Sequence, residues 1–318
     1  MALGFAVAAR AVTISGLSCV VKIDANGAWL SVTVDASTGP RSVLIAAGGG
    51  GLAALGHTGT VSDAQIEVWD GTGTLIASND DRPAEFANDP SYPILERTTK
   101  DAGLRITLTE GVYAIRVSGV GGTAGTVAID LVDLGNSPGL VSLSLLARTL
   151  NREAVIGATL VGDGNINLTA LATGPNLPVA TPLANPRLAI LAGQATVTTQ
   201  DTTVYAVAYA SRYSSPAYQD GRNAGFSFLW SVGPLVTPNV PPAFSVRSQD
   251  GGDGAFLFEL HNNDAPILRR PTILGPPMST TVNSGDTLIL RAVRGGELAA
   301  TIQWQRDGVD IPFATGAT

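Results

Sequence analysis

The densest cluster of ligand-type side chains is acidic. Asn79-Asp80-Asp81 follows Asp63 and Asp70, and Asp89 comes soon after. Hard oxygen donors on a loop suit Ca²⁺, which takes about six to eight of them. Asp63, Asp70, Asn79, Asp80 and Asp81 are therefore the candidate metal ligands, and calcium is the one candidate cofactor. No Asp-x-Asp-x-Asp-Gly loop is present, and Asn-Asp-Asp is also ordinary turn chemistry. Asp250-Gly-Gly-Asp253 is a sparser version of the same pattern. His57, His261 and the lone Cys19 make no zinc set. No Gly-x-Ser-x-Gly elbow supports nucleophilic hydrolysis, so no catalytic residue is assigned and the chain reads as a non-enzyme.

A second chemistry is stacking. Trp69, Tyr92, Tyr205, Tyr213, Tyr218 and Trp230 could face a glycan. Trp69, Trp230 and Trp304 sit in alternating runs and read as core. The exposed candidates are Tyr205, Arg212, Tyr213 and Tyr218, because Ser214-Ser-Pro-Ala217 between them reads as a loop. Two glycine clusters, Gly48–Gly51 and Gly119–Gly122, lack the Lys-Ser/Thr ending of a phosphate loop. They read as loops with positive φ.

The elements that must carry these residues are strands. Only 14% of the 318 residues are charged and 45% are apolar, with Gly 37 and Pro 19. Ample apolar content excludes disorder. The net charge of −7 gives no basic footprint for nucleic acid. One cysteine excludes a disulfide scaffold. No apolar run reaches the ~18 residues that span a bilayer, and Met1–Arg10 lacks the basic start of a signal peptide. Gly16-Leu-Ser-Cys19 is a poor lipoprotein cleavage site, so Cys19 is expected to be a buried strand residue. Val, Thr and Gly in short alternating runs predict an all-β chain. Gln65–Trp69 and Thr74–Ser78 flank a turn at Asp70–Gly73. Leu104–Leu108 and Val112–Ser118 flank a second expected hairpin, and Val127–Val132 closes the set.

The chain also repeats itself. Phe5–Arg10 resembles Leu143–Arg148 at an offset of 138. Asp63–Val68 resembles Asn185–Ile190, and Lys100–Gly103 resembles Arg222–Gly225, both at 122. Arg116 falls on Arg247 at 131, and Ala128–Leu131 on Leu257–Leu260 at 129. Matches that keep their order indicate duplicated units. The expected fold is two tandem antiparallel β-sandwich modules, 1–137 and 138–268, plus a partial immunoglobulin-like sandwich over 269–318.

The tail resembles the bacterial immunoglobulin-like domain at Val282, Gly285, Leu288, Leu290, Gln303-Trp-Gln305, Asp307-Gly308 and Ile311-Pro312. That resemblance implies a core role for Trp304. It leaves the back half of the sandwich missing, to be supplied by further chain or by another subunit. The modules resemble β-sandwich repeats of large secreted bacterial surface proteins, through Arg41–Ile45, Leu52–Leu55, Ile76–Asp81 and Gly111–Ser118. The stretch from Asp63 to Leu131 is similar to the pre-peptidase C-terminal jelly roll. The second module departs from this pattern, with Thr199-Gln-Asp-Thr202 in place of the Asn-Asp-Asp turn.

These resemblances imply an extracellular or cell-surface structural or adhesive protein, self-assembling through strand edges into a filament or layer. Its expected partners are further copies or other surface subunits, and a candidate glycan. Nucleic acid and membrane insertion are not expected. Leu3, Phe5 and Val7 on a donor-type strand, with Trp304 and Ile311 in the tail, are the candidate assembly residues. The alternatives are a carbohydrate-binding or calcium-stabilised accessory module and a phage virion structural protein.

Overall fold

The computed structural model describes residues 13–35, 39–53, 56–86, 98–135, 139–161, 164–174, 177, 179, 181–184, 186–191, 222–232, 243–248, 250–262, 272–275, 293–295, 303–306, 309–311 and 314. Among the described residues the chain is all-β, with three short 3-10 turns and no α-helix. The first half contains β1 (Thr13–Ile23), β2 (Ala28–Val34), β3 (Arg41–Gly48) and β4 (Ala64–Trp69). It continues with β5 (Leu75–Asn79), β6 (Ala102–Leu108), β7 (Gly111–Gly119) and β8 (Gly125–Asp133). The second half contains β9 (Leu140–Arg148), β10 (Glu153–Val161), β11 (Gly164–Thr173) and β12 (Pro186–Leu191). It ends with β13 (Arg222–Val232), β14 (Ala243–Ser248) and β15 (Ala255–Asn262). The tail holds β16 (Thr272–Gly275), β17 (Val293–Gly295), β18 (Gln305–Arg306) and β19 (Val309–Asp310), in two separate two-stranded pairs.

The first 15 strands form one barrel-like, nearly closed network of pairs. Its antiparallel pairs trace two runs. One is β6–β3–β8–β1–β10–β14–β12. The other is β5–β4–β7–β2–β9–β15–β11–β13. Two parallel bridges, Ile14 to Leu140 and Lys22 to Arg148, tie the runs together in the middle.

The alternation of side chains explains why the runs face each other. Leu17, Cys19 and Val21 of β1, Leu30 and Val32 of β2, and Leu143 and Leu145 of β9 all enter one buried cluster. Ile156 of β10, Phe244 of β14 and Phe258 of β15 enter the same cluster. Both halves thus share a single core. Cys19 is buried as expected, and burial pushes its thiol well above the ordinary range.

The pairing scheme occurs twice. β1–β8–β3–β6 in the first half is matched by β9–β15–β11–β13 in the second. β2–β7–β4 is likewise matched by β10–β14–β12. The halves meet where β1 pairs with β10 and β2 with β9. Leu17 lies opposite Ala158 and Val32 opposite Leu143, and adding 126 to Leu17 and Val32 gives Leu143 and Ala158. Even the irregularities correspond. The register slips between Ile14 and Gly16 in one joint and between Thr33 and Val34 in the other. Leu140, which is 126 positions after Ile14, is the residue opposite Val34.

Two expectations change here. Leu143–Arg148 corresponds to Leu17–Lys22 in these pairings, not to 5–10, which lies outside the described residues. Leu104–Leu108 and Val112–Ser118 are not a hairpin: β6 pairs with β3, while β7 pairs with β2 and β4. The short Thr109–Glu110 connection carries the chain from one run to the other. The β4–β5 hairpin forms as read.

Gly48–Gly51 also serves differently from its reading. None of these glycines has positive φ, unlike Gly121 and Gly122. A Cβ on Gly49 would sit 2.2 Å from the Val61 carbonyl oxygen, and one on the matching Gly174 would sit 2.0 Å from that of Leu183. The backbones themselves are in contact there. Gly49→Ala is expected to cost about 1–3 kcal/mol through overpacking. Gly252→Ala, with open space around it, is expected to leave the urea midpoint unchanged. Equal midpoints for the two variants would refute the close-approach account.

Candidate functional site

The acidic residues fall at opposite ends of β4. Asp63 precedes the strand and Asp70 follows it, a separation of roughly 20 Å for an extended segment. One ion cannot bind both. Asp70 instead caps its own turn. Its Oδ1 accepts the Thr72 amide at 2.9 Å, the Thr72 hydroxyl at 2.6 Å and the Thr74 amide at 3.0 Å. The Thr72 hydroxyl, then the Thr74 amide, hold this carboxyl below the usual range.

Asp63, Asn79 and Asp81 do gather, around the place where β5 approaches β6. The Lys100 ammonium lies 3.0 Å from Asp81 Oδ1 and 3.5 Å from Asp63 Oδ2. Its pKa is raised by the hydrogen bond to Asp81 and by both charges. Asn79 Oδ1 accepts the Gly103 amide at 3.4 Å, and the Lys100 carbonyl accepts the Ala64 amide at 3.1 Å. Lysine thus occupies the position between two carboxylates that a cation would take. Among the described residues no group of three or more His, Cys, Asp or Glu could hold a metal ion. Asp80 is exposed. The cluster works as a clasp between the two runs, and its exposed ion pairs contribute little on their own.

Other candidates disperse. Leu3, Phe5, Val7, Tyr205, Arg212, Tyr213 and Tyr218 lie outside the described residues, as do Asp89 and Tyr92. Trp304 is half-buried ahead of the β18–β19 turn, its amide bonded to the Ala314 carbonyl at 3.0 Å, and Ile311 is exposed. Trp69 is not in the main core. It packs half-buried with Trp29, Ala114, Leu146, Leu177 and Leu257 on the outer face of the second run. Arg116 lies 5.9 Å above the Trp29 ring and 3.1 Å from Glu67 Oε2. The side chain of Trp230, on β13, falls outside the described set. His261 and Glu259 are both buried on β15, with 3.9 Å between Nε2 and Oε1.

The joint between the halves is made of two backbone ladders. Its ladders run from Thr13 to Cys19 against β10, and from Trp29 to Val34 against β9. Alternation legible in the sequence put the right faces inward, but nothing local marked these strands as partners. Among the described residues, β5 pairs only with β4 and leaves Leu75 and Ile76 about two-fifths exposed, at 43% and 42%. The register slip opposite Val68 and Trp69 leaves Ile76 outside the ladder. Bulges of this kind blunt an exposed edge.

Three buried carboxyls set the response to pH. Burial raises Asp130 against the opposing Ser18 hydrogen bond. It raises Asp101 against bonds from Thr98 and Gly50 and the charge of Arg82. It also raises Asp133 against the Gly135 amide and Arg41. A carboxyl with a higher pKa when folded is destabilising once ionised. Its cost vanishes as pH falls through the folded pKa towards the unfolded value of 3.8. The melting temperature is therefore expected to rise as pH falls from neutral towards that unfolded value. Asp130→Asn should shallow that slope. A slope of opposite sign, or one indifferent to all three Asp→Asn changes, would sink this account.

Among the described residues no helix is long and apolar enough to cross a membrane. No protein-family model matches the chain, and no curated protein matches it in sequence.

Proposed function

We propose that this chain is a non-catalytic structural or adhesive protein of the cell exterior, built from two duplicated β-sandwich modules and assembling through strand edges. The observation that carries the reading is the joint itself. Two halves with the same pairing scheme associate by adding β10 to β1 and β9 to β2, in the same register at both places. Strand addition supplies main-chain hydrogen bonds, and alternate side chains complete the core. No nucleophile, base and oxyanion arrangement is needed for that work. Repetition of one module by edge pairing is also a direct way to build length.

Light scattering on the purified chain, with and without EDTA, tests the reading. A discrete oligomer or polymer indifferent to EDTA is expected, because Lys100 already neutralises Asp63 and Asp81. A monomer at every concentration would overturn it. A monomer whose stability falls on chelation would favour the calcium-stabilised accessory module.

A further inference from the structure

We infer that the surface joining the two halves also fits a second copy of this chain, through exchange of halves between molecules. This rests on the assembly reading above and assigns it residues and a register. β1 and β2 of the first half present their edges to β10 and β9 of the second, and the connection between the halves, Leu134 to Gly139, is six residues long. The first half of one chain paired with the second half of another makes every ladder bond and core contact of the single chain. Only the path of the connection differs, which is the condition under which exchange costs little. A short connection gives the intrachain joint a high effective concentration, so exchange grows with protein concentration. A third chain can take up a second half left unpaired, so open exchange propagates into longer assemblies. The 126-residue correspondence adds a competing arrangement, in which like halves pair. It would set Val32 where Ala158 sits. The joint is fitted to unlike halves there, because Ala158 is 1% exposed opposite Leu17 and the larger valine would overpack the core.

Single cysteines on full-length chains separate these cases. Ser18 lies opposite Gly157. Ser18 is exposed, and a Cβ on Gly157 meets nothing closer than the Ser18 carbonyl oxygen at 3.6 Å. Ser18→Cys chains and Gly157→Cys chains, both carrying Cys19→Ala, are co-refolded at high concentration, sized by light scattering and oxidised. Melting temperatures of each variant alone confirm that it folds. A disulfide-linked heterodimer confined to the assembled fraction, and absent from each variant alone, is expected. An assembled fraction without that heterodimer overturns exchange and leaves assembly through another surface standing. A heterodimer between Ser18→Cys and Ser31→Cys chains in its place overturns it in favour of like halves. Absence of any assembled fraction overturns both exchange and the assembly reading.

Discussion

Phe258→Ala is expected to destabilise both halves of the chain together, by about 3–5 kcal/mol. Phe258 is fully buried, its ring 5.1 Å from that of Phe244 at 46°. It stands on β15 between Leu145 of β9 and Ala172 of β11. The cavity left by its ring opens into a cluster that also holds Ile14, Leu30, Ile45, Ile66 and Val117 of the first half. A shared core has no internal boundary at which unfolding can stop. Calorimetry should therefore show one transition, displaced downward by roughly 6–20 °C at about 2–4 °C per kcal/mol. Amide exchange in β3 and β8, in the other half, should quicken with that in β11. Two transitions, of which only one moves, would show that the halves unfold independently.

Arg41→Ala is expected to cost about 3–5 kcal/mol. Arg41 is 2% exposed and among the largest fully buried side chains. Its Nε lies 3.9 Å from Asp133 Oδ2, and Nε and Nη2 have no hydrogen-bond partner. Gly135 and Gly139 both close against it. A Cβ on Gly135 would fall 2.2 Å from Nη1, and one on Gly139 would fall 2.0 Å from Nε. Truncation would leave a void against these two glycines and a buried Asp133 without its countercharge. The pair itself is a poor source of stability, because desolvation offsets most of its attraction. Arg41→Met with Asp133→Asn should therefore recover most of the loss. The introduced amide keeps an oxygen for the Gly135 N–H, which Asp133 accepts at 2.8 Å. A double variant no more stable than Arg41→Ala would show that the guanidinium has a role beyond filling space.

The sequence exposed faces better than it exposed partners. Offsets of 122 for β4 and β6 and 129 for β8 agree with the pairings. The errors at 138 and 131 share one cause. In the pairings Ser118, not Arg116, corresponds to Arg247, a displacement of two residues. Such a slip keeps every side chain on its face, so alternation cannot detect it. At the first strand, Phe5–Arg10 and Leu17–Lys22 are both alternating and both end in a basic residue, and similarity chose the wrong one. The β6–β7 connection misled because a short Gly-containing gap, Thr109-Glu-Gly111, is a hairpin signal, although here it spans two runs. The acidic cluster was half legible. Composition located Asp63, Asn79 and Asp81, but their nearest cation, Lys100, comes from a later segment. Arg41 gave no local signal, since its burial depends on Asp133 and the two glycines beyond it.

The joint also sets a timetable for synthesis. β1 cannot complete its ladder until Ala158, 141 residues after Leu17, has left the ribosome. At about 5–20 residues per second that wait lasts roughly 7–28 s. Between the emergence of β8 and that of β9, the nascent first half carries two bare strand edges, on β1 and β2, at the rim of an unfinished core, and the β1 edge stays bare until β10 follows. Neighbouring ribosomes on one message would then bring such edges together before either chain is released.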